Sequence, residues 1–293
     1  MKRRVYALLL LFPALALAHS GEAIQPHDLW SAWEFDPGTA IPLAISAVLY
    51  LRGARVSRGA TRLEQILFWS GWATLFIALV SPLHPLGEAL FSAHMTQHEI
   101  LMLISAPLLV LSRPLAPMLW GMPISWRRWL GQAAHATAFQ KLWRAVTRPS
   151  VAWCVHAVAL WTWHIPALFD ATLSSEWIHA AQHASFFGSA LLFWWSLFAA
   201  RGMHAGAGVL YIFTTAIHTS ILGALLTFAP FTWYPPYAST TRAWGLSPLE
   251  DQQLGGLIMW VPAGLVYIAT GLALFARWLK ESEQMVLRSS CAN

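Results

Sequence analysis

Charge is scarce in this sequence, and that is its first constraint. Only 11% of the 293 residues are Asp, Glu, Lys or Arg, against 57% that are hydrophobic. A soluble globular domain carries about 25% charged residues, so too few are present to coat an ordinary water-facing surface. Cysteine is scarcer still. Cys154 lies in an apolar stretch and Cys291 near the C-terminus, and neither forms a CxxC. That excludes a disulfide framework and leaves a thiolate metal site without support. No nucleophile paired with a base and no phosphate-binding loop is visible, so an enzyme is not expected. The alternating ten-residue segments of a membrane β-barrel, an internal repeat and a separate soluble domain are all missing as well.

What is present is a series of long apolar runs, each near the length that spans hydrocarbon. They predict an all-α membrane protein, a seven-helix bundle with spans at about 38–52, 63–82, 88–112, 150–170, 176–200, 206–230 and 252–278. The 18 Trp fit aromatic belts at the membrane interfaces. Residues 1–18 read as a signal peptide: Lys2, Arg3 and Arg4 are followed by an apolar stretch and by Ala16-Leu17-Ala18. Cleavage there would leave His19 first; the alternative is an uncleaved anchor. Residues 19–37 are then a periplasmic segment, 38–278 the membrane domain and 279–293 a cytoplasmic tail.

The net charge of +5 would raise nucleic-acid binding in a soluble chain. Here the basic residues follow topology instead, and no nucleic-acid partner is expected. Every Lys and Arg except Arg242 falls in the n-region, at or between the facing ends of spans one and two, three and four, or five and six, or at or beyond the end of span seven. Positive residues stay cytoplasmic, which puts the mature N-terminus outside and the C-terminus inside, in a bacterial inner membrane. Within the 113–149 loop, Trp126 to Leu130 and Phe139 to Arg144 resemble an amphipathic segment lying on the inner leaflet. The 231–250 loop is rich in Pro and aromatics and is expected to cap the outer end.

Twelve His stand in this background, although ionisable groups inside a bilayer are expensive. At about 1.5 Å per residue, His94, His98, His164, His179 and His183 fall near the outer end of their spans and His218 near the middle of its own. His94-x-x-x-His98 and His179-x-x-x-His183 each put two imidazoles on one helix face, a chelating geometry suited to Cu, Zn, Fe or Ni. Thioethers favour Cu(I); Met95, Met102 and Met259, with His19, are possible additional ligands. Asp251 opens span seven beside the His layer and joins the candidate set, though helix-end capping explains an acid there equally well. Gln97, Gln182 and Thr219 are placed to orient imidazoles. His156 reads as an interhelical hydrogen-bonder and His84 as a plain polar loop residue. Pro107, Pro166 and Pro262 are expected to kink their spans.

Three blocks carry a family resemblance. His94-Met-Thr-Gln-His98 with Ala106-Pro107, Trp161-Thr-Trp-His164-Ile-Pro166, and Asp251-Gln-Gln-Leu-Gly-Gly256 occur in the order that resembles the caa3-type cytochrome c oxidase assembly factor (CtaG) family. Glu99 departs from that pattern, where an apolar residue is expected. The resemblance implies a membrane factor for maturing a haem-copper oxidase, with copper as cargo, a periplasmic copper donor and an oxidase subunit as partners. Three alternatives stay open: a haem-binding electron carrier, a copper transporter and a scaffold that binds no metal.

Overall fold

The computed structural model describes residues 24–56, 60–199 and 203–290. The proposed signal peptide, His19 and Cys291 lie outside them. Among the described residues the chain is helical throughout, without a strand.

The first pair is α1 (Pro37–Val56) and α2 (Arg62–Val80). Thr61 starts α2 with a capping box: Glu64 N–H donates to Thr61 Oγ1 at 3.2 Å, and Thr61 N–H donates back to the Glu64 carboxylate at 2.8 Å. The expected third span is divided. A short α3 (Leu83–Ala89) ends at Leu90, whose backbone is extended, and α4 (Phe91–Glu99) begins afresh. The helix then widens into a π segment over Ile100–Ser105 before α5 (Ala106–Leu111). Pro107 lacks the N–H for a regular turn, and the widened turn immediately precedes it. Arg113 breaks the chain with a left-handed φ of 49°, and α6 (Leu115–Gly121) leaves at 70°.

The expected amphipathic segment is two helices, α7 (Ile124–His135) and α8 (Thr137–Val146), neither with a buried residue. The expected fourth span bends by 74° between α9 (Pro149–Trp163) and α10 (Pro166–Ser174), with His164 at the corner and Pro166 opening the second piece. Then come α11 (Glu176–Phe198), α12 (Ala205–Thr227) and α13 (Pro248–Ser290). The last continues through the expected tail as far as Ser290, with Pro262 inside it.

Four helices are long and apolar enough to cross a membrane: Pro37–Val56, Arg62–Val80, Ala205–Thr227 and the Pro248–Gln284 part of α13. Counting each bent pair, Phe91–Leu111 with α6 and α9 with α10, as one span makes six. The expected span at 176–200 is α11, 23 residues long but made less apolar by His179, Gln182 and His183.

Polarity is arranged inside out. Ile41, Ile45 and Val48 on α1, Leu210, Phe213, Ile217 and Ile221 on α12, and Leu254, Leu257, Val261, Leu265 and Ile268 on α13 are exposed in stripes at helical spacing. His94, Gln97, His98, Gln182, Asp251 and Gln252 are buried. Apolar outside and polar inside suits hydrocarbon as the surrounding solvent. Two apolar cores border the polar layer: Phe186, Phe193, Trp194, Tyr211 and Tyr267 on one side, Phe91, Phe169, Tyr234, Tyr237 and Met259 on the other.

Close backbone contacts join α1 to α6. A Cβ on Gly53 would overlap the Pro117 carbonyl oxygen, and one on Gly121 that of Leu49. Backbone cannot yield as a side chain can, so Gly53→Ala or Gly121→Ala should each cost about 3 kcal/mol and lower the melting temperature in detergent. Gly131, with nothing within 4 Å of its added Cβ, is the control; Gly131→Ala should melt at or slightly above the parent. Equal melting of all three variants would refute this packing.

Candidate metal centre

Five imidazoles meet at one end of the bundle: His84 from α3, His94 and His98 from α4, and His179 and His183 from α11. Their ring centroids lie 4.3 Å apart for His179 and His183, 4.4 Å for His94 and His98, 5.0 Å for His94 and His179, 5.1 Å for His84 and His179, and 5.2 Å for His98 and His183. Within the cluster, two sets of three bring ligand-capable nitrogens within 4.8 Å of one another: His84, His179 and His183, and His94, His98 and His183. His183 belongs to both. A metal about 2 Å from each nitrogen holds them about 3.5 Å apart, so ring rotations of about an ångström close either set.

Local sequence explains how the rings arrive. The four-residue spacing of each pair sets two imidazoles on one face of α4 and of α11. The start of α4 is set by Asp251, whose carboxylate accepts from Phe91 N–H at 2.6 Å and from the Ser92 N–H and hydroxyl. Gly87 lets α3 lie on α4, since a Cβ there would sit 3.2 Å from His94 Cα. The Gly87 carbonyl accepts from Tyr237 Oη at 2.9 Å and faces His94 Nδ1 at 3.3 Å. Tyr234 Oη donates to the His164 carbonyl at 2.9 Å. These two hydroxyls tie the aromatic 231–250 loop to the segments beside the cluster.

The ring nitrogens are poorly satisfied. Both nitrogens of His98, Nε2 of His179 and Nε2 of His183 are buried without a hydrogen-bond partner. Each such atom costs about 1–3 kcal/mol, and each is a potential donor of electrons to a cation. His94 Nε2 faces Gln182 Oε1 at 3.1 Å, while Gln182 Nε2 has no partner. Gln97 Nε2 contacts His84 Nδ1 at 2.9 Å and donates to Ala78 O at 2.6 Å. Thr219 bonds only within its own helix, to the Thr215 and Ala216 carbonyls, and orients no imidazole.

His84 marks the water-facing side, its side chain 20% exposed and its Nε2 3.8 Å from the Glu34 carboxylate. Burial pulls the His84 imidazole below its usual range, against the opposing pull of Glu34 and Asp36. Burial, with Glu34 and Glu176 nearby, pushes the neighbouring Glu88 carboxyl up to about 7. Toward the bundle interior His98 rests on Phe186 at 4.6 Å, and His94 lies against Phe169 at 5.0 Å.

Several sequence expectations are corrected. His218 stands outside both sets, against the ring of Trp153 at 5.2 Å and near His156, because its place midway along α12 is too deep to reach the layer. The Asp251 carboxylate is engaged as the cap of α4 and joins neither set. Met95 and Met259 pack in the Tyr234 core and Met102 in the Trp194 core. His164 adjoins the layer through Phe186, whose ring lies 6.0 Å from it and 4.6 Å from His98; its Nδ1 meets the Leu160 carbonyl at 2.6 Å, and its Nε2 is unpartnered. His84, read as a plain loop residue, belongs to a set. Its position in a short segment at the same end as the other rings was the available signal. His156 bonds Ser189 Oγ across α9 and α11 at 3.0 Å, as expected.

The Asp251 block is a buttress. Gln252 holds the loop through Trp233 N–H, and Gln253 donates to the Ala229 carbonyl. Gly255 admits the Phe91 ring of α4 and Gly256 the Thr227 backbone of α12.

Curated proteins of Mycobacterium bovis and Mycobacterium tuberculosis, both named as uncharacterized, are 24% identical over 274 residues, 88% of this chain and 41% of theirs. One from Mycobacterium leprae, also named as uncharacterized, is 25% identical over 289 residues, 91% of this chain and 43% of its own. The chain thus spans about two fifths of the length of these relatives. No solved structure matches it significantly. The family model described as cytochrome c oxidase caa3 assembly factor matches residues 48–281, and this multi-pass bacterial membrane protein belongs to that family.

Proposed function

We propose that the protein assists oxidase assembly by binding Cu(I) through His94, His98 and His183 and passing it, without catalysis, to a copper-accepting oxidase subunit. The observation that carries this reading is the sealed imidazole set: His94 and His98 are 0% and 1% exposed, and unpartnered nitrogens converge there. Neither set contains a carboxylate or thiolate. The cost of burying an ion rises steeply with its charge, so a cage of neutral imidazoles favours a monovalent cation over a divalent one. Imidazole is a suitable ligand for copper. The cargo arrives from a periplasmic donor and leaves on the same side, because Phe186, Phe193 and Trp194 fill the bundle beneath His98. That apolar floor disfavours a transporter. Direct ring-to-ring contacts leave no slab for a porphyrin between facing imidazoles, which disfavours a haem carrier.

Seven spans, with the histidine end outside, fit the contacts at both ends. The segments before α4 and around α10, together with the 231–250 loop, share the histidine end through Tyr237 on Gly87 and Tyr234 on His164. The end of α1 meets α6, and Trp143 of α8 meets Trp195 of α11 at 5.7 Å, at the other end, where the basic residues lie. This reading counts α11 as a span despite its polar face.

Purified wild-type protein titrated with Cu(I) against a competing chelator should bind copper. His98→Ala and His183→Ala should weaken it by at least about 100-fold, and Gln182→Ala by about 10–100-fold. A wild type that takes up no copper, or alanine variants that bind as it does, would reject the proposal. With Cys154 and Cys291 replaced by Ser, a Cys at Trp177, which is 86% exposed, should react with a membrane-impermeant maleimide in intact spheroplasts. A Cys at Trp126 should react only after permeabilisation. The reverse pattern would invert the topology.

A further inference from the structure

The His84, His179 and His183 set is unlike the sealed one in two respects. It reaches the surface, since His84 is 20% exposed whereas His94 and His98 are sealed. It also lies beside a carboxylate: Glu34, itself 51% exposed, is 3.8 Å from His84. The sealed set has no such route of its own to water, being covered by the Tyr234 and Tyr237 loop and floored by Phe186. Both sets use His183, and each of its members offers one ligand atom. His179 and His183 are at 4.3 Å and His98 and His183 at 5.2 Å, so rings of the two sets are in contact through the shared member.

We propose that the two sets are successive stations for a single Cu(I) ion: His84, His179 and His183 receive it at the acidic mouth, and His183 carries it inward to His94 and His98. This rests on the copper reading above. In the transfer, the Cu–N bonds to His84 and His179 break and those to His94 and His98 form, while the Cu–N bond to His183 persists. The ion keeps three ligands at each station. No electron is transferred, and neutral imidazoles release no proton. With the unpartnered Nε2 of His183 as the ligand atom at both stations, one nitrogen serves one ion at a time and occupancy is one ion per chain. Release to an acceptor retraces the same path, so the surface station controls both rates.

The test follows Cu(I) leaving a coloured bicinchoninate complex by stopped-flow absorbance, with equilibrium competition run in parallel. The proteins are wild type, His84→Ala, His84→Asn (which keeps a polar partner for Gln97) and His98→Gln. Wild type should bind one Cu(I) per chain. Both His84 variants should retain that stoichiometry, with affinity within about threefold of wild type, but load and unload at least tenfold more slowly. His98→Gln should load as fast as wild type but hold the ion at least about 100-fold more weakly. His84 variants that load at the wild-type rate, or a wild type that holds two ions at once, would overturn the relay while leaving copper binding intact. A wild type that takes no copper would instead remove the reading on which the relay depends.

Discussion

The carboxylate of Asp251 decides where α4 begins, and through that where the histidines of α4 sit. It accepts hydrogen bonds from the N–H groups of Phe91 and Ser92, donors that a new helix leaves unsatisfied and that no water reaches. The extended backbone of Leu90 makes such a start possible, ending α3 and restarting the chain in a new direction. His94 and His98 follow within two turns, facing α11. Gly255 and Gly256, next on α13, allow α4 and α12 to close on the same helix. Shifting the start of α4 by one residue would rotate both imidazoles about 100° away from their partners.

Around that anchor the protein tolerates an arrangement that an ordinary core would reject. Four buried imidazoles and the partly exposed His84 share one layer, several ring nitrogens have no partner, and the flanking amides of Gln97 and Gln182 are each only half satisfied. Packing does not require this. Phe169 and Phe186 border the rings and show that apolar groups fit in the same layer. A cluster of unmatched electron-pair donors inside apolar walls is a reservoir of unfavourable free energy that a small cation would relieve, and this is the physical basis of the proposal that the layer holds a metal cargo.

The two ends of the bundle divide the remaining tasks. At the histidine end a loop of tyrosines and prolines closes over the rings, and acidic side chains face the opening. At the other end glycines bring α1 and α6 into backbone contact, while α7 and α8 carry exposed Trp126, Trp129 and Leu142 beside their arginines. The aromatic core around Phe193 and Trp194 separates these ends. On the proposed function, exchange of the cargo would be confined to the histidine face.

The sequence by itself determined the membrane class, the approximate helices and the two His pairs, because these depend on composition and on a period of 3.6 residues along one chain. It also announced the bend at Pro166, which acts on its own turn, whereas the 70° bend after Leu111 falls at Arg113 rather than at Pro107, and Pro262 lies inside an unbroken α13. Which polar residue would serve as ligand and which as brace was decided only by tertiary structure. Asp251 and Phe91 are 160 residues apart in sequence, so nothing local distinguishes a capping carboxylate from a metal ligand. His218 and His84 changed places for the same reason: depth along a helix was legible, but the neighbour that each ring faces depends on how separate helices pack. The same packing made His183 common to both sets, because only the approach of α3 and α4 to one face of α11 brings their rings to a single imidazole.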